Sequence, residues 1–295
     1  MTDVMSWRIG EVRISRVLEF EMPVLSPKVL YPDITAEQLD RNRDWLEPYF
    51  LNTASNLLMM AIHSFVIETP ASVIMVDTCS GNDRSRPKKL RYHQKKWPYL
   101  QNLGAAGYRP EDIDFVLCTH LHADHVGWNT HLRDGRWVPT FPNARYLFAA
   151  RELEHWQNEK LRHLYTDDPY FEDSMRPILD GRLADLVGMD HVIDDFVRLE
   201  PSHGHTPGHV CVRIRSAGDE AVMSGDIMHT PLQCAEPELN SCFCVDLSQA
   251  RQTRRDFIER HAGSNVLIMP AHFPTPVAGL IERRGDRFRF KFGRG

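Results

Sequence analysis

Residues 119–129 read Thr-His-Leu-His-Ala-Asp-His-Val-Gly-Trp-Asn, a run that places three histidines and an aspartate within six positions. The residues just before it, Asp114-Phe115-Val116-Leu117-Cys118, are short, mostly apolar and β-prone, so they read as an interior strand running into a loop. A sheet behind the loop would hold it rigidly. His120 and His122 alternate, which puts two imidazoles on one side of an extended segment, and a bend into helix turns Asp124 and His125 the other way. Divalent transition metals of borderline softness take imidazole and carboxylate ligands, so this spacing serves two adjacent ions. A lone histidine here would be a surface turn residue. Four ligand-type side chains after a buried strand argue against that.

The rest of the chain supplies the frame. A strand is expected around Trp7–Glu19 and a helix from Thr35 to about Phe50, with a hairpin of Phe65-Val66-Ile67 and Val73-Ile74-Met75-Val76 across Thr69–Ser72. Residues 80–97 are polar and basic and read as an exposed loop; a helix over Tyr99–Ala106 stops at Gly107. Arg145–Phe148 reads as a strand and Arg151–Glu159 as a helix, followed by an acidic, partly helical insertion over 160–192. Further strands fall at Phe196–Leu199, Val210–Ile214, Ala221–Met223 and Asn265–Met269. A helix capped by Asp246 runs to about His261, and a final hairpin joins Leu280–Arg283 to Phe288–Phe292. Hairpins alternating with helices suggest two stacked sheets with helices outside, and no linker divides the chain, so 1–295 reads as one domain.

Candidate partners for the opening motif stand at other strand ends. Ser-His-Gly-His-Thr-Pro-Gly-His-Val (202–210) offers His203, His205 and His209; Met-Ser-Gly-Asp-Ile-Met-His (223–229) offers Asp226 and His229; Ile-Met-Pro-Ala-His-Phe-Pro (268–274) offers His272. In this order and between strands, HLHADH, GHTPGH, SGD and PAH resemble the metallo-β-lactamase-fold hydrolases, over roughly residues 60–290. The resemblance implies an α+β fold, a four-layer αββα sandwich with the site at one sheet edge. It implies one metal site of His120, His122 and His205, another of Asp124, His125 and His272, and Asp226 bridging them. Asp77 matches the carboxylate that orients a ligand histidine from behind. The implied cofactors are two divalent ions, zinc first, with manganese, cobalt or iron as alternatives.

Two metals about 3.5–4 Å apart can share a bridging hydroxide, with the pKa of bound water brought to about 7, and can polarise an electrophile. That hydroxide would attack the carbonyl of a lactone or carboxylic ester, or a phosphotriester, with Asp124 or Asp226 moving the proton. Homoserine-lactone hydrolases of the superfamily usually carry tyrosine three residues after the bridging aspartate; His229 stands there, so the pattern is more similar to the methyl-parathion-hydrolase-like branch, whose members include organophosphate hydrolases and some lactonases. His229 can donate to an oxyanion or protonate a leaving group, or merely cap its loop. Trp128, Met228 and Phe273 flank the motifs as candidate pocket walls.

Rival activities are weighed against composition. The run Arg84–Lys96 holds seven Lys or Arg residues, the footprint of a nuclease, yet the net charge is −5 and Asp167–Asp173 would repel phosphate chains. A mononuclear iron dioxygenase of the same fold remains the alternative, because His and Asp suit iron too. No stretch has the length of a membrane span or a signal-peptide core, and the six cysteines form no CxxC pair, which places the protein in the cytoplasm with reduced thiols. Residues 1–50 and 160–192, outside the core resemblance, are expected to form an extension and a lid or subunit interface. A homodimer is left open.

Overall fold

The computed structural model describes residues 4–158 and 169–293. Among these, eight strands form one sheet and six a second. The first begins with the hairpin β1 (Ser6–Ile9) and β2 (Val12–Leu25) and continues through β3 (Leu51–Asn52), β4 (Leu57–Glu68) and β5 (Val73–Val76). From β5 onward it is parallel, adding β6 (Phe115–Leu117), then, past a separate hairpin of β7 (Thr130–Arg133) and β8 (Arg136–Pro139), β9 (Arg145–Ala149) and β10 (Ala184–Val187). The second sheet runs β11 (Val197–Pro201), β12 (Val210–Ser216), β13 (Asp219–Gly225), β14 (Leu267–Pro270), β15 (Gly279–Arg284) and β16 (Arg287–Phe292), antiparallel except for the β13–β14 pair.

Strand alternation assigns each face to a different core. Ile14, Ile67, Ile74, Leu117 and Leu147 of the first sheet meet Val212, Ile214, Met223 and Met269 of the second in one buried cluster between the sheets. The neighbouring residues Val66, Met75, Val116 and Tyr146 point outward, onto α4 (Tyr99–Ala105), α5 (Ala150–Gln157) and α6 (Arg176–Asp180) through Leu103, Leu153 and Ile178. Val222 and Ile268 point out of the second sheet onto α7 (Leu232–Ala235) and α8 (Leu247–His261) through Cys234, Phe257 and Ile258. These layers are the αββα sandwich. The parallel runs matter most: β5, β6, β13 and β14 lead at their carboxyl ends into Asp77, the HLHADH loop, Asp226 and His272. Open sheets present ligands at that edge.

The expected helix over 35–50 is broken into two short ones, numbered here in chain order after α1 (Pro27–Leu30) as α2 (Ala36–Asp40) and α3 (Arg43–Leu46). The break has a cause: Glu236 draws the chain aside, accepting from Arg41 Nε at 2.7 Å and from Asn42 Nδ2 at 2.8 Å, while Asn42 Nδ2 also donates to the Gln38 carbonyl. The β7–β8 hairpin adds to the expected strands, with Asp134-Gly135 at its turn. The insertion assigned to 160–192 is in part structural core, since 171–180 are helical and β10 extends the first sheet; Glu159, the expected end of α5, and residues 160–168 lie outside the described residues. The amino-terminal extension likewise contributes β1 and β2 to the sheet.

The basic loop differs from its expectation at two positions. Arg84 and Arg86 are buried, because Asp173 needs them. Arg86 pairs both carboxylate oxygens of Asp173, at 2.7 and 3.0 Å, while Arg84 approaches the same group at 3.0 Å and donates to the Thr130 carbonyl at 2.7 Å. The Arg84 guanidinium also lies 3.8 Å from the centre of the Trp137 ring. Removing one partner of such a buried pair strands the other charges, at about 3–5 kcal/mol. Asp173→Ala should therefore lower unfolding stability by about that amount, read as a fall in the urea midpoint. An unchanged midpoint would show that the cluster carries no load.

Candidate metal centre

His120, His122 and His205 place their ligand-type atoms in one group with Asp226, and Asp124, His125 and His272 form a second; within each group the donor atoms lie within 4.8 Å of one another. Asp226 joins the two groups. Its carboxylate oxygens stand 3.3 Å from His205 Nε2, 3.7 Å from His120 Nε2, 3.4 Å from His125 Nε2 and 3.1 Å from His272 Nε2. The ring nitrogens themselves nearly touch: His120 Nε2 and His205 Nε2 each lie 2.9 Å from His122 Nδ1, and His125 Nε2 lies 3.2 Å from His272 Nε2.

The outward nitrogens decide what faces inward. His120 Nδ1 meets Thr119 Oγ1 at 3.1 Å, His125 Nδ1 meets Asp77 Oδ2 at 2.9 Å and His272 Nδ1 meets the Ala61 carbonyl at 3.1 Å. A carbonyl or carboxylate only accepts, so His125 and His272 carry their protons on Nδ1 and turn lone pairs into the centre. Lone pairs at such distances repel unless a proton or a metal cation lies between them. The donor set, imidazole plus carboxylate in two contiguous groups, therefore fits a pair of divalent metal ions of the zinc type.

Charge supports the same arrangement. Burial lowers His120 and His205 well below the usual imidazole range and brings His122 to about 3, so these rings are neutral. Burial opposes charge on His125 and His272 too, but Asp226, aided by Asp77 at His125, outweighs it and raises both, so these two rings draw a second proton to Nε2, the place a metal ion would take. Burial alone would raise the Asp226 carboxyl; His272, His125, His229 and His120 together hold it well below the carboxylate range. The buried anion thus favours positive charge beside it, from protons on His125 and His272 or from bound metal ions in their place.

Local chemistry builds the supports. Asp77, at positive φ just past β5, accepts from the Thr119 N–H at 2.7 Å and from the Thr119 hydroxyl at 2.9 Å, so it orients both His120 and His125. His209 lies behind the other end: its Nε2 accepts the Asp226 N–H at 2.9 Å, which leaves Nδ1–H for Ser202 Oγ at 2.8 Å. Gly225 is required there, with φ of +50° and a space in which a Cβ would stand 2.5 Å from His209 Nε2. His229 is buried against the same aspartate, Nε2 to Oδ2 3.3 Å, and neither ring nitrogen has a hydrogen-bond partner among the described residues. His203 stays outside the cluster, its carbonyl held by Thr253.

The aromatic neighbours fall beneath the centre. Trp128 is stacked on Tyr99 at 5.0 Å and donates to Glu19 at 2.7 Å; Met228 and Phe273 belong to the core under α8. Burial raises Glu19 to about 7, against the N–H groups of Ser80, Gly81 and Trp128 that favour its charged form. Two supporting residues escaped the sequence reading. Cys244 Sγ lies 3.5 Å from His205 Nδ1, and Glu152 is buried on α5 between two ligand loops. Nothing in their local sequence sets either apart; the contacts arise only in the folded chain.

A family model described as the metallo-beta-lactamase superfamily matches residues 59–272, and the chain belongs to that superfamily. It is 24% identical over 175 residues to an N-acyl homoserine lactonase of Bacillus cereus, an alignment covering 56% of this chain and 62% of that one. It is 25% identical over 243 residues to a probable metallo-hydrolase of Mycobacterium tuberculosis, covering 74% of this chain and 76% of that one. Among solved structures it is similar to the hydrolase AbOPH of the beta lactamase superfamily, with a TM-score of 0.82, 24% identity and 98% of each chain covered. It is similar also to AidC, a dizinc quorum-quenching lactonase solved with the product N-hexnoyl-L-homoserine, with a TM-score of 0.82, 19% identity and coverage of 98% and 97%. The likeness to these structures is one of fold.

Gly225→Ala should cost about 1–2 kcal/mol in backbone strain and push His209 off the Asp226 N–H. The expected result is weakened metal retention on dialysis against a mild chelator; retention equal to wild type would show that His209 does not set the aspartate.

Proposed function

We propose that the protein is a metal-dependent hydrolase with two divalent ions, zinc by preference, that opens a lactone or cleaves a carboxylic ester. The observation that carries this reading is the place of Asp226, a member of one donor group whose oxygens also stand 3.4 Å from His125 and 3.1 Å from His272 of the other. His120, His122 and His205 would hold one ion, Asp124, His125 and His272 the other, and the set supports two ions over a single iron. Bound there, the pair would supply a low-pKa water and polarisation of the electrophile.

The chain's own residues do the rest. Asp124 is the accessible carboxylate, its side chain 29% exposed against 4% for Asp226, and it suits proton acceptance from water and return to the leaving oxygen. Asp226 stays anionic and holds the two halves in register. His229, buried beside Asp226 with no hydrogen bond on either ring nitrogen among the described residues, can donate to the oxygen on which charge develops. The Phe243 ring, half exposed, sits 6.2 Å from the His229 ring and offers an apolar wall to a substrate substituent. The lactonase relatives support a lactone. The histidine at position 229, in the pattern of the methyl-parathion-hydrolase-like branch, supports a phosphotriester as the second substrate class.

A panel of a γ-lactone with an acyl substituent, an aryl ester and a phosphotriester tests the reading. The lactone should show the highest kcat/KM, and a phosphotriester turned over faster than both carbonyl substrates would reverse the order. His229→Ala should lower kcat by about 10²–10³ with metal content intact. Loss of metal in that variant would make His229 a ligand instead.

A further inference from the structure

Glu152 has no part in the chemistry above, yet its surroundings are those of a built site. It stands in the first turn of α5, directly after β9, and is 1% exposed. Its carboxylate accepts three N–H groups: Leu121 at 3.0 Å and Trp156 Nε1 at 2.7 Å on Oε1, and Gly208 at 2.8 Å on Oε2. Hydrogen bonds to an ionised carboxylate are about twice as strong as neutral ones.

Each donor leads to the same half of the metal centre. Leu121 lies between the ligands His120 and His122. Gly208 lies in the loop that carries His205, one residue before His209, which holds the Asp226 N–H. Trp156 packs edge-on against the His122 ring at 5.3 Å. The contact at Gly208 is close enough that a Cβ there would stand 2.3 Å from the Glu152 backbone nitrogen, so the helix seats directly on the loop. Leu121 follows the first sheet and Gly208 enters the second, which makes Glu152 a clasp between sheets at the point where three histidines must converge.

We infer that Glu152 is the positioning carboxylate of the His120–His122–His205 site: it fixes the separation of the two ligand loops and adds a buried negative charge behind them. Burying a carboxylate is costly where packing alone is needed, and Leu153 already anchors this turn in the core. A carboxylate repays that cost where it aligns ligands and favours a cation. Outer partners of this kind typically change metal affinity by about 10–100-fold. The inference rests on the dinuclear reading above.

The test compares full-length wild type with Glu152→Gln, which keeps the volume but turns an amide NH2 toward the Gly208 N–H. Both proteins are stripped with a chelator and titrated with Zn(II) against a chromophoric competitor, and the unfolding temperature of the metal-free forms is measured alongside. Wild type should bind two ions. In the variant one site should weaken by about tenfold or more while the other holds and the metal-free unfolding temperature stays close to wild type. Two sites of wild-type affinity in the variant would overturn the proposal, as would equal weakening of both sites with a matching loss of metal-free stability. Should Glu152→Gln fail to fold, Glu152→Asp, which retains charge but cannot span both loops, is read by the same criteria. Fewer than two ions on wild type would instead defeat the dinuclear reading itself.

Discussion

The convergence of inward-facing imidazole nitrogens on one buried carboxylate is the constraint around which the molecule is organised. Ring nitrogens 2.9–3.2 Å apart and a buried anionic Asp226 form an arrangement that unbalanced electrostatics would push open. A protein keeps such a cluster only where the scaffold over-determines it, and strain concentrated at one sheet edge is typical of functional sites. Here the outward ring nitrogens are tied to Thr119, Asp77 and the Ala61 carbonyl, and the aspartate backbone is tied to His209. Divalent cations would take the place of the protons on His125 and His272 and turn the convergence into coordination.

The fold supplies this over-determination by geometry. Two sheets share an apolar core, and strands from both end at one edge, so ligands far apart in the chain arrive on rigid supports. Polar groups buried around that edge are each bound to a neighbouring loop: Glu19 to Ser80, Gly81 and Trp128, Asp173 to Arg84 and Arg86, Glu152 to Leu121 and Gly208. Buried charge of this kind adds little net stability, but it fixes which loop sits where.

Much of this was legible in the sequence, for identifiable reasons. Apolar runs such as Phe115–Leu117 and Leu267–Pro270 are too short and too β-branched or bulky to be anything but buried strands, and the side chains that follow them stand at a sheet edge. The layers, the placing of ligands at strand ends and the grouping of His120, His122, His205, Asp226 and of Asp124, His125, His272 follow from that pattern together with the family resemblance, whereas the parallel pairing of those strands does not. What was illegible depends on tertiary contacts. The helix break at Asn42 needs Glu236, the burial of Arg84 and Arg86 needs Asp173, and Glu152 resembles any charged residue of an amphipathic helix until Leu121 and Gly208 are beside it. Trp128, Met228 and Phe273 read as pocket walls because they adjoin the motifs, whereas packing places them beneath the centre. Adjacency in sequence does not set which way a side chain faces.

The central claim is a pair of metal ions sharing Asp226, and its most direct test is metal stoichiometry by mass spectrometry on protein purified without chelator, in wild type and in Asp226→Ala. The account predicts about two divalent ions per chain in wild type and loss of metal in the variant, because both donor groups lose their common carboxylate. A single iron in wild type, or an undiminished metal content in Asp226→Ala, would contradict it.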